Sequence, residues 1–131
     1  MVCGSVGYGG MKELDDLKGE LKRESFNVIE QFVDVGQSSK VRDFRCEKVL
    51  SKRIMEHDIR LLSEADVLVV LANRPSFGAG VEICIAWKAG KPVIAFCPRS
   101  VPTPWPIALA NHIAKTKEEL LVILRTLEAD A

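Results

Sequence analysis

Residues 65–97 read "ADVLVVLANRPSFGAGVEICIAWKAGKPVIAFC" and contain a complete strand–helix–strand unit. "ADVLVVLA" is a nearly unbroken run of strand formers, as expected of a strand buried on both faces of a parallel sheet. A loop with Pro75, Gly78 and Gly80 follows it. Between Val81 and Ala89 only Glu82 and Lys88 are charged, so this segment reads as a helix that wants burial nearly all round. Lys91-Pro92 ends the helix, because proline disfavours helical backbone in the residue before it. "VIAFC" is the next strand. Two parallel strands joined by a helix form a crossover unit, which fixes the class of fold. It also raises a question: why does a carboxylate stand just after two glycines, at the mouth of an apolar segment?

The same alternation extends outward. Val2 to Ser5 reads as a very short first strand running into "GSVGYGG". Lys12 to Glu24 is a helix, with Leu14, Leu17 and Leu21 at helical spacing. "FNVIEQFVDV", residues 26–35, alternates and is expected to be a second strand. "GQSSKVRD" is loop-like. A long helix spans about Phe44 to Ser63, with Val49, Ile54, Ile59 and Leu62 on its apolar face. Beyond the central unit, "PRSVPTPWP" holds four prolines and reads as an irregular connection. "ALANHIAK" is ambiguous, and Lys117 to Glu128 is an amphipathic helix. The 131 residues therefore predict one α/β domain, with a parallel sheet and helices on both faces. In such folds ligands bind beyond the carboxyl ends of the strands. Two of the loops at that end are glycine-rich.

Bulk properties narrow the function. Eighteen basic and eighteen acidic residues cancel, so no net charge advertises a nucleic-acid or membrane surface. "VLVVLA" is too short to span a bilayer, and the first residues lack the basic start and apolar stretch of a secretory leader. Cys3, Cys46, Cys84 and Cys97 show no zinc or redox spacing and read as buried reduced thiols of a cytosolic protein. His57 and His112 do not form a metal cluster with them.

The chemistry-bearing candidates lie in the loops. "GSVGYGG" sets Gly4, Gly7, Gly9 and Gly10 between a strand and a helix, where backbone N–H groups can approach an anion. It matches neither a dinucleotide fingerprint nor a P-loop, and a plain tight turn accounts for it equally well. Glu82 in the first turn of a helix would be favoured by the helix dipole alone. Its place at the carboxyl end of a buried strand, with Gly78 and Gly80 leaving access open, makes it the leading candidate for chemistry. Asp58, near the end of the long helix, is the second acid. Asp66 competes with it but more simply ends the helix–strand turn.

Three of these stretches, "CGSVGYGG", "MEHDIRLLSEADVLVV" and "RPSFGAGVEICIAWKAGKPVIA", together resemble the nucleoside 2-deoxyribosyltransferase superfamily. Within it they look most like the 2'-deoxynucleoside 5'-phosphate N-hydrolases. The resemblance implies a flavodoxin-like, Rossmann-like fold, a homodimer, a small-molecule nucleotide substrate, and no metal or organic cofactor. It implies cleavage of the bond between base and deoxyribose. Glu82 matches the glutamate that attacks the anomeric carbon, and Asp58 the aspartate that holds the sugar or manages a proton at the leaving base. Ser76 matches the serine found in the phosphate hydrolases, where the transferases carry an aspartate. Ser5, Gly7, Tyr8, Gly9, Gly78 and Gly80 would complete the substrate contacts. A deoxyribosyltransferase, in which a second base replaces water, is the first rival, and Ser76 speaks against it; a non-catalytic nucleotide-binding module is the rival from another class.

Two departures from the family stand out. Its first loop, "G-S-I-R-G-G", holds an arginine that "GSVGYGG" lacks, and its tyrosine two residues before the loop cysteine is Met1 here. Arg42, Arg45 and Arg99 are candidates to restore the charge, and Tyr8 to supply a hydroxyl. The apolar helix from Val81 to Ala89, with Trp87 as anchor, is expected to face a second copy of the chain.

Overall fold

The computed structural model describes residues 1–6, 10–32, 36 and 38–131. In chain order the elements are β1 (Val2–Gly4), α1 (Gly10–Arg23), a 3-10 turn (Ser38–Lys40), α2 (Lys48–Glu64), β2 (Leu68–Leu71), α3 (Phe77–Lys88), β3 (Val93–Phe96), α4 (Trp105–Leu109), β4 (His112–Ala114) and α5 (Lys117–Asp130). The strands form one sheet in the order β1-β2-β3-β4, and every neighbouring pair is parallel.

Side chains of β2 and β3 are buried throughout, as a sheet covered on both faces requires. The two-residue period of the strands sorts them cleanly. Val69, Leu71, Ile94 and Phe96 meet Leu14, Leu17 and Leu21 of α1 and Leu120 and Leu124 of α5. Leu68, Val70, Val93 and Ala95 meet Leu62 of α2 and Ala79, Ile83 and Ala86 of α3. This is an α/β fold of the flavodoxin-like kind. Its four strands occupy the positions of that fold's first, third, fourth and fifth strands.

The expected second strand is the main correction. Through Phe32 residues 26–35 form no strand, and Val33 to Val35 lie outside the described residues. The alternation read from the sequence is nevertheless used in packing. Phe26 and Val28 pack against the α1–α5 side and Ile29 against the α2–α3 side. Residues 26–32 pack against both core layers without a hydrogen-bond ladder among the described residues. The edge it would join is β1, whose three residues offer a short template.

Smaller shifts have local causes. α2 begins at Lys48 rather than Phe44, whose carbonyl accepts the Glu47 N–H at 2.9 Å in a turn. "ALANHIAK" divides into the end of α4 and strand β4, and the last two residues of the proline-rich connection start α4. Proline is tolerated there because the first helical N–H groups have no partner to lose. All four cysteines are free, but only Cys3 is buried; Cys46 is exposed and the other two are half-buried. Among the described residues no helix is long and apolar enough to cross a membrane.

One glycine of the first loop is demanded by packing. A Cβ at Gly10 would stand 1.9 Å from the Ser5 carbonyl oxygen, closer than any real contact. Gly10→Ala must push the backbone of the β1–α1 connection aside. We expect it to cost about 2 kcal/mol of stability, as overpacking of a tight site does, read as a lower urea midpoint at unchanged slope.

Candidate active site

Helix α3 starts at Phe77, four residues before the expected Val81. Ser76 caps it, its Oγ accepting the Ala79 N–H at 3.2 Å. Glu82 therefore stands in the second turn, beyond reach of the first-turn dipole effect. It shares the sheet-facing stripe of the helix with Ala79, Ile83 and Ala86, and is only 7% exposed. The carboxylate is thus on the buried face, over the carboxyl end of β1.

Two neighbours meet it there. The Gln31 side chain, itself 6% exposed, donates Nε2–H to Glu82 Oε1 at 2.8 Å. Glu82 Oε2 is buried and finds no hydrogen-bond partner among the described residues. The fully buried Cys3 thiol of β1 lies close enough to influence the carboxyl group. A thiol is a weak donor, so on geometry Oε2 is the uncommitted oxygen. Burial pushes Glu82 up to about 7; Cys3 and Gln31 hold it partly down, and the charge of Asp58 adds to the rise. Burial and the Glu82 charge in turn push the Cys3 thiol well up.

Asp58, on α2, faces the same space. Its Oδ1 lies 3.3 Å from His57 Nδ1, and both side chains are mostly buried. A cavity of about 310 Å³ opens among Gly4, Gln31, Asp58, Ser76 and Glu82, with Phe32 and Ile54 supplying apolar wall. That volume suits a small ligand. Asp66, the competing acid, is exposed beside the opposite, amino end of β2.

The structure thus brings together Glu82, Asp58, Ser76 and Gly78. Ser5 and Gly80 do not line the cavity; Gly4 and Val6 form the wall at the first loop. A Cβ at Gly78 or Gly80 would meet only open space, consistent with access from outside. Gly7, Tyr8 and Gly9 lie outside the described residues. None of the three arginines proposed to restore charge lines the cavity. Arg99 donates to Glu13 Oε1 at 2.7 Å, Arg45 pairs with Asp43, and Arg42 reaches the Ser39 carbonyl. Arg74 approaches the start of α1: a Cβ at Gly10 would lie 3.5 Å from its Nη1. It also donates to Glu13 Oε1, at 3.1 Å.

Sequence reading missed Gln31, Phe32, His57 and Cys3 as neighbours of the site. Phe32 carries a further surprise, since Lys18 Nζ sits 4.1 Å from its ring centroid. Lys18 is 3% exposed, and burial pulls its amine down. Gln31 and Phe32 left no signal beyond their place in a supposed strand, and Lys18 none beyond a polar residue on an apolar helix stripe.

Fold and site define an α/β protein with a carboxyl-lined cavity beyond the carboxyl ends of its parallel strands. No protein-family model matches the chain. Over 54 residues it is 52% identical to a protein of Thermofilum pendens named "Putative 2'-deoxynucleoside 5'-phosphate N-hydrolase 1". That match spans 40% of this chain and 38% of the relative.

A carboxyl group whose folded value, about 7, lies above its ordinary 4.5 binds a proton that the unfolded chain has already lost. Stability therefore falls as pH rises between those two values and stays lower above them. Glu82→Gln removes this penalty. The variant should be more stable than wild type by about 3 kcal/mol at pH 8, the difference shrinking as pH falls through about 7 and nearly gone by pH ~4.5. Urea unfolding at both pH values checks this.

Proposed function

We propose that the protein hydrolyses the N-glycosidic bond of a 2'-deoxynucleoside 5'-monophosphate, releasing free base and deoxyribose 5-phosphate. The observation that carries the reading is the buried Glu82 carboxyl group, with one oxygen uncommitted, sharing a small cavity with Asp58. The partial likeness to the Thermofilum pendens protein supports the same direction.

Glycosidic cleavage passes through a sugar carrying positive charge at its anomeric carbon. Glu82 Oε2 attacks that carbon, forming a glycosyl ester as the bond to the base breaks. A carboxyl group raised into the neutral range is more basic, and so a stronger nucleophile, once it is ionised. The departing base takes a proton from the carboxyl group of Asp58, which is oriented by His57. Water then resolves the ester, with Asp58 taking up its proton. Ser76 serves the 5'-phosphate. Its Oγ lone pair is used in capping α3, which leaves its O–H to donate to an anion. The amino end of α3, which Ser76 caps, favours an anion there as well.

The test is a panel of nucleosides and 5'-nucleotides assayed for free base. A 5'-monophosphate should be cleaved about ten- to a hundredfold more efficiently than its nucleoside, the worth of one charge-assisted contact. Glu82→Gln should lose at least about a hundredfold in rate. Equal efficiency on the two substrate forms removes the phosphate reading. Near-wild-type release by the variant removes the mechanism. Deoxyribose transfer to an added base, faster than hydrolysis, identifies a transferase instead.

We also propose a homodimer built on the outer face of α3 and its neighbour α4. Phe77, Val81 and Trp87 of α3 and Trp105 of α4 are all at least half exposed. Apolar side chains exposed in that number are costly in water. Sedimentation at micromolar concentration should give twice the 14.5 kDa chain mass, and a monomer would contradict the proposal.

A further inference from the structure

We propose that Gln31 is a positioning residue for Glu82: its amide holds Oε1, leaving Oε2 as the attacking oxygen, and keeps the carboxylate form accessible. As a statement about catalysis this rests on the N-hydrolase reading; as a statement about the Gln31–Glu82 pair it stands alone. Both side chains are more than nine-tenths buried, and the 2.8 Å contact joins residues 51 positions apart. A carboxylate only accepts hydrogen bonds, so the amide must turn its nitrogen to Glu82. That choice strands the other end. Gln31 Oε1 is buried and has no partner among the described residues. A buried orphan acceptor is unfavourable. Among the described residues nothing else makes use of the amide, so the stranded oxygen is the cost of directing an N–H at Glu82.

The partners of Glu82 divide the work. Gln31 occupies Oε1 at 2.8 Å, and the Cys3 thiol on β1 is a second donor beside the group that also favours its anion, though a thiol is the weaker kind of donor. Asp58 on α2, with His57 beside it, brings negative charge that opposes ionisation, while the Met1 amino group at the start of β1 favours it. Gln31 is therefore the strong donor that reaches the carboxylate from within the described residues. It is neutral, so it can favour the anion without cancelling the charge that the sugar cation needs.

Gln31→Met keeps the shape and removes the donor. With activity as the readout, the acid limb of the pH–rate profile should move up by about one pH unit or more, since a hydrogen bond to a charged group is lost. At pH 6, kcat should fall roughly tenfold with KM changed less than about twofold, and the loss should fade above pH ~9. Gln31→Glu should move the limb further, because it adds like charge, and Gln31→His should restore part of the rate. A purely structural residue would lower activity at all pH values alike. An unmoved acid limb, or a rise in KM with kcat preserved, overturns the proposal.

A second measurement needs neither activity nor a variant. In carboxyl-labelled wild-type protein, the Gln31 side-chain amide resonances should titrate with the same midpoint as the Glu82 carboxyl carbon. Independent midpoints overturn the pairing even if the enzyme is active. Shared midpoints support the pairing even if no nucleotide in the panel is cleaved, so failure of the activity and failure of this inference remain distinct.

Discussion

A carboxyl group turned onto the sheet-facing side of a helix is expensive, and the arrangement around Glu82 answers that expense. Water would solvate the anion; among the described residues the interior offers one amide, one thiol and a small opening. An isolated buried carboxylate would simply take up a proton. Here the compensation is partial, which leaves the group poised between its two forms near neutrality. A site meant only for stability would have an apolar residue on that stripe, where Ala79, Ile83 and Ala86 already serve.

The rest of the fold positions what surrounds that group. The tight pairing of β1 with β2 carries Cys3 and Gly4 beneath α3, with Val2 registered against Val69 and Gly4 against Leu71. The Ser76 cap fixes where α3 begins and hence which of its residues face inward. α2 runs so that Asp58 and His57 reach the cavity while Leu62 enters the core. Residues 26–32 contribute to both layers and then present Gln31 and Phe32 to the site. The buried Lys18 amine against the Phe32 ring braces that wall through the attraction of a cation for an aromatic face.

Much of this was legible in the residues, and the failures have physical causes. The crossover from "ADVLVVLA" to "VIAFC" and the leucine spacing of α1 and α5 follow from local periodicity, and both elements form as expected. Glu82 and Asp58 were legible as types in suggestive places, but their meeting depends on how α2 and α3 pack, which no local pattern encodes. The supposed second strand failed because alternation reports which side a residue packs on, not whether a backbone ladder forms. Gln31 was hidden by that error, since a glutamine in a strand normally looks outward to water. The start of α3 was misplaced because Gly78 and Gly80 look like loop, whereas the Ser76 cap draws both into the helix.

The pairing of β1 with β2 has a further consequence, in the order of folding. Val2 and Val69 must find each other across half of the chain before either gains from the contact. Closing so long a loop costs entropy in advance, and sheets built from such pairings form late. The β2–α3–β3 unit is sequence-local and can assemble early with Glu82 already on its helix. Cys3, Gly4 and Gln31 arrive only with the final closure. Until that long-range pairing closes, the Glu82 carboxyl group lacks its β1 cover and meets water as an ordinary glutamate.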